Sequence, residues 1–86
     1  MDQKLKQLRA RAKYLTPIIN IGKNKLAQSN IDHVDRELGQ KNLIKIKFLK
    51  SAFTDAAKQE LIQELSTKTH ATVVDAVGNI LVLYRK

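Results

Sequence analysis

Apolar positions along this 86-residue chain fall into blocks whose spacing switches between helical and strand periods. In QKLKQLRARAKYL, residues 3–15, Leu5, Leu8, Ala12 and Leu15 recur every three or four positions. That spacing predicts a helix with one apolar stripe and basic residues on its other faces. Pro17 stops it, because proline has no N–H to donate and biases Thr16 towards an extended shape. IINI, residues 18–21, then reads as a short strand whose only polar member is Asn20. Ala27, Ile31, Val34 and Leu38 make a second helical stripe, and Gly39 is the expected left-handed residue that ends it.

LIKIKF, residues 43–48, alternates Ile44, Ile46 and Phe48 with Lys45 and Lys47. Period two predicts a strand with one apolar face and one wet, cationic face. TDAAKQELIQEL follows, with Thr54 placed to cap a helix and Asp55 suited to its first turn. Ala57, Leu61 and Leu65, with Ile62 alongside, mark its buried line. ATVVDAV and ILVLYR are two more strands, joined at Gly78-Asn79, a tight-hairpin signal.

The predicted order is α-β-α-β-α-β-β, an α/β chain in two or three layers. Three helices on one or both faces of a four-stranded mixed sheet is the economical way to bury the three stripes. Residues 1–86 hold room for one domain, without repeats, low-complexity stretches or linkers. A chain this short buries about 60–65% of its unfolded surface, enough for a small core but not a deep pocket. No apolar run approaches the roughly 18 residues of a membrane helix. The charged beginning lacks a secretory leader, so a cytoplasmic location is expected. With no cysteine, disulfides, zinc–thiolate sites and thiol catalysis drop out together.

Charge narrows the function. Sixteen Lys and Arg face eight Asp and Glu, a net +8. The excess is concentrated: residues 1–25 hold seven bases and one acid, and residues 41–53 hold four lysines and no acid. Such segregation suits a polyanion better than a merely solvated surface does.

Catalysis has little to build on. His33 lies on the second predicted helix near Asp32 and Glu37, the setting of a solvated histidine. His70 falls where the third helix must turn, and histidine tolerates positive φ well enough to cap it. Two histidines without cysteine or suitable spacing give no metal site, and Ser29, Ser51 and Ser66 lack a nucleophile-elbow context. No enzyme, no cofactor and no small-molecule substrate is expected. The first helix has no Trp or Phe on its apolar stripe, which argues for packing on a sheet over a membrane surface.

The segment NIGKNKL, residues 20–26, leads from a predicted strand into a predicted helix. Unpaired N–H groups and the positive end of a helix dipole favour an anion at such a junction. Gly22 permits close backbone approach, Lys23 and Lys25 add charge, and Asn24 can complete a tight turn. Arg9, Arg11 and Lys13 on the first helix, with Lys45 and Lys47 on the strand, supply a surrounding cationic surface.

LRARAKYLTP, INIGKNKL, NLIKIKFL and the ending VGNILVLYR together resemble the CRM-domain family (chloroplast RNA splicing and ribosome maturation), in its small stand-alone YhbY-like form. The last stretch is the most specific, and the likeness spans nearly the whole chain. It implies a compact α/β fold similar to KH-like domains and to the C-terminal domain of the third bacterial translation initiation factor. It also implies RNA binding through a GxxG loop and association with precursors of the large ribosomal subunit. Two positions depart from the family. Gly22 matches the first loop glycine, but Lys25 stands at the second, exchanging closest backbone approach for a phosphate-seeking side chain. His70 stands where glycine is usual, a structural change.

The expected function is therefore a non-catalytic binder of structured, ribosomal RNA. A chromatin-type DNA binder of the Alba kind and a ribosome-docking protein adaptor are the alternatives. No aromatic-rich strand of the RRM type offers bases a stacking surface, and Tyr84 is expected to pack or make an edge contact.

Overall fold

The structure, a computed structural model, describes residues 3–22, 28–49 and 55–86. Seven elements follow in the expected order: α1 (Gln3–Ala12), β1 (Ile19–Ile21), α2 (Gln28–Lys41), β2 (Leu43–Phe48), α3 (Asp55–Thr69), β3 (Thr72–Val77) and β4 (Ile80–Tyr84). The four strands form one mixed sheet in the order β1-β2-β4-β3, with β1 parallel to β2 and the other neighbours antiparallel.

Strand alternation divides the core in two, because successive side chains leave a strand on opposite faces. On one face Ile19, Ile21, Ile44, Ile46, Phe48, Leu81 and Leu83 meet Ile31, Val34 and Leu38 of α2 and Leu61 and Leu65 of α3. On the other, Leu43, Val74 and Val82 meet Leu8 and Ala12 of α1, with Leu5, Leu15, Ile80 and Tyr84 at the margin. The result is three layers, with α1 alone on its side. The apolar stripes of all three helices therefore find the partners their spacing requires.

Helix ends show where local chemistry overrode the expected boundaries. The α1 stripe reaches Leu15, but the helix tightens after Ala12. Lys13, Tyr14 and Leu15 donate to the carbonyls of Ala10, Arg11 and Ala12 at 3.3, 3.2 and 3.1 Å, a three-residue spacing. Gly39 does not end α2. The helix runs to Lys41, and Asn42 takes the left-handed conformation at φ 67°. Asparagine prevails because its amide has somewhere to go: Asn42 Nδ2 donates to the Arg85 carbonyl at 2.9 Å. In return, the Arg85 N–H donates to the Asn42 carbonyl at 2.8 Å. α3, by contrast, runs to Thr69, and His70 caps it as expected, at φ 56°. Ala71 N–H donates to the Ser66 carbonyl at 2.9 Å, the six-to-one bond of a Schellman ending. Gly78 turns the β3–β4 hairpin at φ 61°.

Tyr84 is not at an edge, since β4 lies between β2 and β3. It is half-buried beside α1, with the Lys4 ammonium 5.0 Å from its ring centroid.

Candidate nucleic-acid interface

Topology gives the two ends of the sheet different chemistry. β1 and β2 run parallel, so the segments that leave them for α2 and α3 start at the same end. α2 and α3 return to the other end, where Asn42 enters β2 and Ala71 enters β3. Their N-termini thus both point to the end from which the Gly22 segment departs. The positive ends of two helix dipoles therefore share that end of the sheet. The hairpin turn closes the same end, with Phe48 N–H donating to the Asn79 carbonyl at 2.7 Å. Lys58 of α3 reaches across to it, donating to the Gly78 carbonyl at 3.3 Å and to Asn79 Oδ1 at 3.1 Å.

Gly22 is the described part of the junction. A Cβ here would lie 2.8 Å from Leu49 Cδ1, so the glycine also serves packing between the two strand exits. Leu49 N–H donates to the Ile21 carbonyl at 2.9 Å and fixes that approach. Lys23, Asn24 and Lys25, the other expected loop contacts, lie outside the described residues, as does Thr54.

The remaining expected cations sit on one side of the molecule. Strand register places Asn20, Lys47, Ile80 and Val77 in one row across all four strands, on the α1 face. Lys47 and Asn20 are exposed and Val77 is 67% exposed, while Ile80 is half-buried at the margin of the α1 cluster, so the row is open at Asn20, Lys47 and Val77. Lys45, one pleat further down, is half-buried. The wet cationic face expected of β2 is therefore wet only towards the junction, because α1 covers Leu43 at the far end. Arg11 and Lys13 are exposed on α1 and its final turn. Among the described residues none of Arg11, Lys13, Lys45 and Lys47 enters an ion pair.

Arg9 is different. Its Nε lies 3.5 Å from Asp75 Oδ2, and Nη2 donates to the Val74 carbonyl at 3.4 Å. A bulge between Val73 and Asp75 sets this up: Val74 is buried on the α1 face, and Asp75, opposite Val82, meets Arg9 on that same face. Arg9 thus binds α1 to an edge strand while its charge is partly answered.

Arg85, at the opposite end, has no counterpart in the sequence analysis. It donates from Nη1 to the Thr69 carbonyl at 2.8 Å and from Nη2 to the Asp35 carbonyl at 2.8 Å, and it pairs with the Asp35 carboxylate. One guanidinium therefore joins α2, α3 and the end of β4. The available signal was Gly39, a helix glycine whose missing Cβ would stand 3.6 Å from Arg85 Nη2.

His33 Nε2 lies 3.8 Å from Glu37 Oε1, one helical turn away, and Glu37 also faces Lys41 at 3.9 Å. Among the described residues no group of three or more acidic, histidine or cysteine side chains could hold a metal ion. No helix among them is long and apolar enough to cross a membrane.

Residues 1–85 match the CRS1 / YhbY (CRM) domain. A probable RNA-binding protein of Methanocaldococcus jannaschii is 36% identical over 80 residues, covering 93% of this chain and 59% of its own. The chain thus spans about three-fifths of that relative. An RNA-binding protein of Haemophilus influenzae is 33% identical over 86 residues, covering 99% of this chain and 85% of its own. The solution structure of a hypothetical protein from Staphylococcus aureus, described as a candidate RNA-binding protein, superposes with a TM-score of 0.81. It is 32% identical and covers 98% of this chain and 85% of its own.

Proposed function

The chain belongs to the CRS1 / YhbY (CRM) domain family, and we propose that it is a non-catalytic protein that binds structured RNA through the β1–α2 junction. Its relatives carry the name RNA-binding protein. The observation that carries the reading is the convergence of both helix N-termini, Gly22 and the exposed Lys47 row at one end of the sheet. Lys23, Asn24 and Lys25 extend from that same junction. In this reading the Gly22 backbone, Lys23 and Lys25 hold phosphates, Asn24 shapes the turn, and Arg9, Arg11, Lys13, Lys45 and Lys47 continue the positive surface.

Contacts of this kind set position and orientation, and carry little sequence information. Such a protein recognises the shape of a folded RNA, and precursors of the large ribosomal subunit are the proposed target, in the cytoplasm. Residues 1–86 act as one binding domain.

Reversing charge with Lys23→Glu and Lys25→Glu together tests the assignment. Affinity for a structured fragment of large-subunit RNA falls at least about tenfold, while unfolding free energy stays within about 0.5 kcal/mol, the range of ordinary surface changes. A joint loss of affinity and stability would make the segment structural and reject the site. Competition with duplex DNA separates this reading from a chromatin-type binder, since DNA displacing the RNA at equal concentration would favour the latter. Co-sedimentation with precursor large-subunit particles that a salt wash abolishes would support the ribosomal target.

A further inference from the structure

Tyr14 is 90% exposed, the most exposed of the large apolar side chains among the described residues. It stands at the mouth of a half-open cavity of about 190 Å³. Leu15, Thr16, Ile18 and Leu43 supply apolar and hydroxyl wall, and Lys41 and Lys45 line it with charge. The tightened turn after Ala12 is what turns Tyr14 outward: Tyr14 N–H donates to the Arg11 carbonyl at 3.2 Å while Leu15 continues the buried stripe. A ring left 90% in water beside a partly apolar cavity contributes little to the packing of the fold.

We propose that Tyr14 and this cavity take one unstacked nucleobase of a bound RNA. This deepens the RNA reading above and rests on it. Every base offers a flat π-face to an aromatic ring, so stacking on Tyr14 tolerates any base. The cavity behind it holds the volume of about six waters, the room a heterocycle needs once they leave. Lys45 connects the cavity to the proposed phosphate surface. It lies two residues from Lys47 on the same face of β2, about 7 Å along the strand, a separation close to that of successive phosphates. Lys41 adds a second cation to its wall, and the exposed Lys13 precedes Tyr14 in the chain. The bound RNA therefore carries a bulged or looped nucleotide near the stem that the junction holds.

Two RNA hairpins differing only by one bulged nucleotide in the stem test this by fluorescence anisotropy. The protein is expected to prefer the bulged hairpin by about tenfold. Tyr14→Ala should abolish that preference and leave affinity for the fully paired hairpin unchanged, and Tyr14→Phe should keep it. The chain has two tyrosines and no tryptophan, so in Tyr84→Phe the emission of Tyr14 is read alone. It should be quenched by the bulged hairpin and not by the paired one. Equal affinity of the wild-type protein for both hairpins, or equal weakening of both by Tyr14→Ala, would overturn the inference. If Lys47→Glu still weakens binding to the paired hairpin in that case, the RNA reading stands without it. Absence of binding to either hairpin would remove both.

Discussion

The two ends of the sheet use the same helices for opposite purposes. At the far end the C-termini of α2 and α3 are closed internally: Asn42 and His70 turn the chain, and Arg85 bonds the Thr69 and Asp35 carbonyls. A cation there meets the negative end of the α3 dipole at Thr69, a carbonyl in the middle of α2 and the Asp35 carboxylate. At the junction end the same helices begin, at the end of the sheet where Lys47 is exposed. Half-buried, bonded charge holds the fold together at one end, whereas the exposed charge at the other is what the proposed function assigns to RNA phosphates.

Arg85→Ala should produce the largest effect. It removes a half-buried guanidinium with three acceptor contacts, and a loss of about 2–4 kcal/mol in urea unfolding is expected. RNA affinity per folded molecule should not change; a fall in affinity would erase the distinction between the ends. Lys47→Glu should do the reverse. Affinity for structured RNA falls about five- to tenfold and the salt slope drops by about one, with stability within about 0.5 kcal/mol.

Gly39→Ala sharpens the comparison from the packed side. A Cβ at 3.6 Å from Arg85 Nη2 is an ordinary contact, so the helix should gain about 0.5–1 kcal/mol. A loss would mean that the guanidinium needs the glycine's full space. Gly22→Ala is the smallest. Its methyl displaces the flexible end of Leu49, so a loss of about 0.5 kcal/mol is expected, and a Leu49→Ala background should relieve it.

These elements also show what the chain made legible. Three-and-four spacing located the helices and period two located β2, while a short apolar run after Pro17 marked β1 and the Gly78-Asn79 turn signal marked β3 and β4. Element ends were harder. Gly39 offered a better left-handed residue than Asn42 on propensity alone, and a tertiary bond to Arg85, 43 residues away, decided otherwise. His70 was legible because its ending is made locally by Ser66 and Ala71. Within the candidate interface, Lys47 could be read from alternation, but the reach of α1 over Lys45 could not, since helix placement on a sheet is a tertiary property. The Arg9–Asp75 pair depends on a β-bulge that no short-range signal marked. Tyr14 escaped notice because a residue off the apolar stripe normally faces water without consequence.

On the proposed function, exposed lysines and helix N-termini at one end of the sheet hold the phosphates of a folded RNA. The salt dependence of RNA affinity measures this directly. With about four phosphates engaged, log K should fall against log salt with a slope of about −3 to −4. An affinity that holds constant as salt rises would contradict it.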